Sequence, residues 1–272
     1  MQITYASEPG SPEYANEDLA VCGTGWALVL DGATAPDGVE SGCIHDVPWL
    51  VSQLAAAITR GLLLGDADLR DVLAAAISAT CEAHGGACDL SNSDSPSSTV
   101  SIIRVRGDSL DYLTLGDSPI VIRDPLGGIT TILDEQVANL PGGRPYTLDL
   151  IRSHRNKPGG FWVASTNPGA ARHSVAGTMP CTGDAEIGMF TDGVSRLVEF
   201  YGYEWDEVFA ILEASGPAAL ISLVRSLELD RPLEHGKQHD DATALLAVDH
   251  PVALSARGRI RRPAGWRSLV GM

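Results

Sequence analysis

Hydrophobic residues recur along this chain in two periods. Alternating or short continuous apolar runs over Leu19–Cys22 and Trp26–Leu30, split by Gly23-Thr24-Gly25, predict a β-hairpin. Helical spacing follows twice. Leu50, Leu54, Ala57, Ile58 and Leu62 predict a helix over 47–64, and Leu69, Val72, Leu73, Ala76, Ile77 and Thr80 a second over 67–84. Gly65-Asp66 separates the two, and Gly85-Gly86 ends the second as a C-terminal glycine pair should. After the polar run 91–98 the period returns to strands at 99–106, 110–116, 119–123 and 128–133. A strand over 187–191, helices over 204–214 and 217–228, and a strand over 243–248 complete the pattern. Strands, two helices, strands, two helices and a last strand suit an α+β fold of two stacked antiparallel sheets with a helix pair outside each.

The strand ends carry the chemistry. Asn16-Glu17-Asp18 precedes the first strand of the hairpin and Asp31-Gly32 ends its second; Asp192-Gly193 follows 187–191, and Asp240-Asp241 opens the last strand. A lone Asp-Gly pair is a turn in the first place, and Asp37-Gly38, which no strong strand precedes, is read so. Four acidic clusters delivered rigidly by strand ends are a different matter. Hard divalent cations take oxygen ligands, and a pair of them needs carboxylates from several elements to offset their charge. A fifth motif, Leu115-Gly116-Asp117-Ser118, lies between the second and third clusters.

In this order, Asn16-Glu17-Asp18, Val29-Leu30-Asp31-Gly32, Ser98-Thr99-Val100, Leu115-Gly116-Asp117-Ser118, Phe190-Thr191-Asp192-Gly193 and Asp240-Asp241-Ala242-Thr243 resemble the motifs of the metal-dependent type-2C protein phosphatases, especially their bacterial branch. The resemblance spans residues 16 to 248 and is poor over 134–185. It implies a four-layer αββα sandwich and a Mn²⁺- or Mg²⁺-dependent hydrolase of phosphoserine and phosphothreonine in proteins, in which a water between two ions attacks phosphorus. It further implies that Asp31 bridges two ions, that Gly32 helps hold one through its carbonyl, and that Asp192 and Asp240 hold the other. Glu17 and Asp18 match acids that act largely through bound water, and Asp117 matches a ligand of a possible third ion shared with Asp192. Counting back from Thr243 puts the ligand at Asp240 rather than Asp241. His239 and Asn16 are read as orienting groups.

Three positions depart from the family. Glu13 stands where many members carry a phosphate-gripping Arg, Pro119 follows Gly-Asp-Ser in place of Arg, and Ala33 stands where eukaryotic members keep a His. Residues 144–172 contain Arg144, Arg152, Arg155, Lys157 and Arg172 against one acid, Asp149, in the region that forms a flap beside the metals in bacterial members. Arg152 and Arg155 are therefore the candidate phosphate-binding residues, unless these cations only pair with surface carboxylates. The missing Arg also keeps open a phosphatase of small phosphorylated metabolites, and a non-catalytic regulator is the third alternative; retention of every carboxylate argues against that last reading, since unused buried acids are costly.

Composition narrows the class further. The 272 residues are 44% hydrophobic and 20% charged, enough for one large core, assigned to residues 1–250. Net charge is −16, and five of the 19 basic residues lie in a C-terminal tail, 251–272, that has no acid, so the body is more acidic still. Such a body does not bind nucleic acid. The basic tail is read as a strip on its own acidic domain. No apolar run is long enough to span a membrane and no signal peptide leads the chain. Five scattered cysteines without a Cys-x-x-Cys pair point to neither a zinc ribbon nor a disulfide framework, and a buried apolar role is expected of them in a cytoplasmic protein.

Overall fold

The structure, a computed structural model, describes residues 1–33, 38–181, 184–233 and 237–248. The basic tail and Asp37 lie outside the described residues. Among the described residues, ten strands and six α-helices follow in the order β1 (Gln2–Glu8), β2 (Leu19–Gly23), β3 (Trp26–Ala33), α1 (Val47–Leu64), α2 (Leu69–Ala83), β4 (Ser97–Arg106), β5 (Ser109–Leu115), β6 (Ile120–Arg123), β7 (Ile129–Ile132), α3 (Leu148–His154), β8 (Val175–Pro180), β9 (Glu186–Phe190), α4 (Asp192–Glu199), α5 (Trp205–Ser215), α6 (Pro217–Asp230) and β10 (Ala242–Val248). They form two five-stranded antiparallel sheets, ordered β1-β10-β9-β6-β7 and β2-β3-β4-β5-β8.

Side-chain alternation builds three apolar layers. On β3, Trp26, Leu28 and Leu30 pack against α1 and α2, while Ala27 and Val29 face the other sheet. On β10, Leu245 and Ala247 meet them between the sheets, and Ala244 and Leu246 turn outward to α4, α5 and α6. This is the expected αββα sandwich, with α4 as an additional helix in the second helical layer. α1 is long and apolar enough to cross a bilayer by composition, but Leu50, Leu54 and Ile58 are sealed against the second sheet and α2. Asp46 caps its first turn by accepting from Trp49 N at 2.9 Å.

Sequence periodicity missed β1, β8, α3 and α4. β1 and β8 are edge strands exposed along much of their length, so neither carries a strong alternation. α4 begins on the Asp192-Gly193 pair and is too short for a full apolar period. The poorly matched stretch 134–185 is folded around a small cluster of its own, Leu140, Phe161 and Val163 with Val137, Tyr146, Leu150 and Ile151. It is tied to β4 by two backbone hydrogen bonds between Ser98 and Ala164, of 2.8 and 2.9 Å.

Candidate active site

Strand parity aims the acids. Asp31 continues the Ala27–Val29 face of β3 and so emerges at the end of the inter-sheet layer, and because Leu19 pairs with Leu30 in the hairpin register, Asp18 lies at the same end. Asp192 opens α4 where β9 ends, and its backbone N–H lies 3.3 Å from Asp31 Oδ2. Asp240 precedes β10, the neighbour of β9, and Asp117 sits in the turn after β5. Asp31, Asp117 and Asp192 line one cleft of about 280 Å³, and Asp192 and Asp240 line an adjoining one of about 550 Å³.

Two glycines allow this convergence. A Cβ on Gly32 would fall 2.4 Å from Val47 Cγ1 and 2.6 Å from the Glu17 carbonyl oxygen. A Cβ on Gly193 would fall 1.9 Å from the Asp241 carbonyl oxygen, a contact with fixed backbone that no side chain could relieve.

Hydroxyl and amide groups around the acids fix their orientation. Thr191 Oγ1 donates to Asp18 Oδ2 at 2.8 Å and itself accepts from Thr243 N at 2.9 Å. Asn16 Oδ1 accepts from Asp18 N at 3.0 Å, and Asn16 Nδ2 donates to Ser7 Oγ, which shares a 2.7 Å hydrogen bond with Thr243 Oγ1. The Gly116-Asp117-Ser118 turn is held from beneath: the Ser118 carbonyl accepts from Ser101 Oγ and Thr114 Oγ1, and Ser118 Oγ bonds Thr99 Oγ1 at 2.7 Å. The buried Asp134 accepts from Gly116 N at 3.2 Å and completes that turn. Asp134 escaped sequence reasoning, and its place just after a short apolar run was the signal available.

Asp240 and Asp241 face different tasks. Asp241 spends both oxygens on backbone, accepting from Gly10 N at 2.7 Å and from Glu17 N at 2.6 Å, and thereby staples the 9–17 loop to the start of β10. Asp240 points to the cleft, where Lys237 Nζ reaches it at 2.8 Å and Arg196 at 3.6 Å. Arg196 is in turn buried against Glu228 at 2.6 Å, and Glu228 also receives Arg225 and His239. This ionic cluster was not legible in sequence, because its members lie on α4, α6 and the loop before β10.

The electrostatics are those of crowded acids taken out of water. Burial pushes the Asp18 carboxyl up to about 7, offset in part by Thr191 and Thr243, with Asp241 and Asp240 raising it further. Burial, then the neighbouring Asp192, raises Asp31 well above the usual range; burial, then Asp240, does the same for Asp192. Burial also raises Asp117. Asp18 Oδ1 is buried without a hydrogen-bond partner. An all-oxygen donor set whose members cannot ionise together, with an oxygen left over, fits hard divalent cations.

Of the two candidate phosphate residues, Arg155 lines the smaller cleft with Asp31, Asp117 and Asp192, whereas Arg152 is not among the residues lining either cleft. Arg152 holds Asp94, with Nε 2.9 Å from each carboxylate oxygen. Arg155 donates to the carbonyls of Ser93 and Ser95 at 3.1 and 2.6 Å and to Ser165 Oγ at 3.2 Å. Both guanidiniums thus fasten α3 to the 93–95 segment. Arg172 pairs with Asp71 at 2.7 Å. Arg144 instead shares the larger cleft with Lys237, Asp192 and Asp240, alongside Tyr146, Ile151, Phe200 and Leu233. Glu13 is exposed and Ala33 lines the smaller cleft. Pro119 offers its carbonyl to Phe190 N at 3.2 Å, joining the start of β6 to β9.

Comparison with known proteins agrees with this geometry. A family model described as protein phosphatase 2C matches residues 16–228. No curated protein sequence matches the chain. Among solved structures, the Mycobacterium tuberculosis serine/threonine phosphatase PstP/Ppp is similar at 18% identity and a TM-score of 0.62, over 92% of this chain and 99% of that one. A catalytic domain of PstP in complex with two manganese ions is similar at 17% identity and a TM-score of 0.61, over 92% and 98%. PppA, a regulatory component of a secretion system in Pseudomonas aeruginosa, is similar at 18% identity and 0.59, over 90% and 96%. With the matching family model over most of its length and a cleft of convergent carboxylates, this chain belongs to the protein phosphatase 2C family and is a metal-dependent phosphatase.

Proposed function

We propose that the protein is a cytoplasmic phosphatase of phosphoserine and phosphothreonine in proteins. Asp31, Asp192, Asp240 and the Gly32 carbonyl would hold two Mn²⁺ or Mg²⁺ ions, Glu17 and Asp18 would act on them largely through water, and Asp117 with Asp192 would take a third. Bound there, the ions would neutralise phosphate charge and acidify a water for in-line attack on phosphorus. The observation that carries the reading is the convergent, mutually opposed set of the buried Asp18 and the half-buried Asp31 and Asp192, which is costly to keep charged unless cations share it.

The chain's own residues do the rest. Thr191 and Asn16 hold Asp18 at one orientation, and Asp241 fixes the 9–17 loop that carries Glu17. Arg144 and Lys237, in the larger cleft and paired there with Glu199 and Asp240, would receive a phosphate dianion in place of the Arg that Glu13 replaces. The apolar wall of Tyr146, Ile151, Phe200 and Leu233 offers a surface to residues flanking a phosphoamino acid. No cysteine is among the described residues lining either cleft, so a thiol nucleophile is not part of the scheme.

The test is hydrolysis of p-nitrophenyl phosphate and of a phosphopeptide panel with Mn²⁺, Mg²⁺ or EDTA. Turnover of phosphopeptides that requires Mn²⁺ or Mg²⁺ supports the reading. Full turnover after exhaustive chelation refutes the metal scheme, and turnover of small phosphate esters alone refutes the protein substrate.

A further inference from the structure

Three of the five cysteines do not fill an apolar layer: Cys22, exposed on β2 contrary to the buried role expected of it, Cys43 and Cys88. Cys43, in the loop before α1, and Cys88, just beyond α2, bring their sulfurs to 3.2 Å. His45 Nδ1 lies 3.4 Å from Cys88 Sγ and 3.7 Å from Cys43 Sγ. With His84, the C-cap of α2, the four ligand atoms all fall within 4.8 Å of one another.

The surroundings are built around this cluster. The buried His84 places Nδ1 2.8 Å from the Thr80 carbonyl; a carbonyl only accepts, so Nδ1 carries the proton and Nε2 keeps the free lone pair. His45 stacks flat on Trp49, with ring centroids 3.8 Å apart, and meets His84 edge-on. Backbone N–H groups point at both sulfurs, Ile44 N at Cys88 Sγ and His45 N at Cys43 Sγ, each at 3.4 Å. Hydrogen bonds from N–H to sulfur and from the far imidazole nitrogen to a carbonyl are what orient thiolate and histidine ligands.

We propose that Cys43, His45, His84 and Cys88 form a structural Zn²⁺ site, separate from the carboxylate centre. Bonds of about 2.3 Å to sulfur and 2.0 Å to nitrogen put neighbouring ligand atoms of a tetrahedral zinc roughly 3.3–3.8 Å apart. The two sulfur–nitrogen separations, 3.4 and 3.7 Å, lie in that range, and the sulfur–sulfur separation of 3.2 Å would open toward about 3.8 Å on binding. Two thiolates and two imidazoles select a borderline-soft ion, whereas the carboxylates of the active cleft select hard ones. Four protein ligands leave no open position, so the site is structural. Binding converts both thiols to thiolates and releases their protons to solvent.

The site occupies a junction of the fold. It clamps the loop before α1 to the segment after α2, a contact that two further hydrogen bonds extend, Asp89 N to Gly42 O at 2.8 Å and Asn92 Nδ2 to Glu40 O at 3.0 Å. That segment continues into Asp94 and the carbonyls of Ser93 and Ser95, on which Arg152 and Arg155 fasten α3. Zinc would therefore brace the platform on which the flap rests at the edge of the active cleft.

The test uses the full-length reduced chain, with zinc measured on the isolated protein and Co²⁺ substituted anaerobically. The expected result is about one zinc per chain. Co²⁺ should give the intense red-region bands of a tetrahedral ion with a near-ultraviolet thiolate charge-transfer band, and Zn²⁺ should displace it. Asp31→Asn should keep that spectrum and Cys43→Ser with Cys88→Ser should lose it. Reduced wild-type protein that takes up Co²⁺ without a thiolate band, or a spectrum that disappears in Asp31→Asn and persists in the double cysteine variant, would overturn the proposal. The wild-type spectrum decides even where the variant fails to fold.

Discussion

Asp18→Asn is expected to stabilise the chelated protein while weakening its use of metal. The carboxyl is 6% exposed, and burial raises it from 3.8 to about 7. An acid whose folded value is raised binds its proton more tightly in the folded state, so its stabilising contribution is complete below pH 3.8 and is lost as pH climbs through about 7. Each tenfold gain in proton affinity on folding is worth about 1.4 kcal/mol, so at about pH 8 the ionised carboxylate costs up to about 4 kcal/mol. Sharing of protons with Asp31 and Asp192 brings the share of Asp18 to roughly 2–4 kcal/mol. The asparagine removes that charge and can still accept from Thr191 through its carbonyl oxygen.

For a domain of this size, each kcal/mol corresponds to roughly 2–4 °C in Tm, so the variant in EDTA should melt roughly 5–10 °C above wild type at about pH 8. The gap should close toward about pH 5. Thermal unfolding by circular dichroism across that interval, with EDTA and again with Mn²⁺, is the assay. In Mn²⁺ the order should reverse, because the ion stabilises the folded state that binds it. A chelated wild type that gains stability between about pH 5 and pH 8, or a variant that melts below it in EDTA, would refute the reasoning.

Other expectations follow from single contacts. Asp31→Asn, Asp192→Asn and Asp240→Asn should each abolish most Mn²⁺ binding by calorimetry, whereas Asp241→Asn, which bonds only backbone N–H groups at the carboxylate, should leave it largely intact and cost about 1–2 kcal/mol of stability; the reverse order would place the ligand at Asp241. Arg144→Ala with Lys237→Ala should raise KM for a phosphopeptide several-fold with a weaker salt dependence, and an unchanged KM would leave phosphate binding to the metals alone. Arg152→Ala should speed hydrogen exchange across 87–96 and 148–155 with little change in KM, while a large KM effect without faster exchange would return Arg152 to the substrate. Arg196→Ala takes one of three partners from the fully buried Glu228, leaving Arg225 and His239, and should cost about 1.5–3 kcal/mol by denaturant unfolding.

Where local chemistry decides structure, the chain announces itself. The hairpin ending in Asp31-Gly32, helices α1 and α2 and the last strand follow from periodicity and turn residues, because period 2 or period 3.6 is a local property of the backbone. The four acidic clusters could be named as one set from their recurrence at strand ends. What three-dimensional packing alone decided is which groups share a space. Asp241 faces Gly10 and Glu17 more than two hundred residues away, and Arg152 and Arg155 turn to the 93–95 segment, because α3 docks there through a cluster that has no period to read. Cys43-x-His45 and His84-x₃-Cys88 are each unremarkable spacings, and they become one cluster only because α1 and α2 pack antiparallel and return the chain to the point where it left. Sequence records what each side chain can do; separation along the chain carries no information about distance across it until the layers have packed.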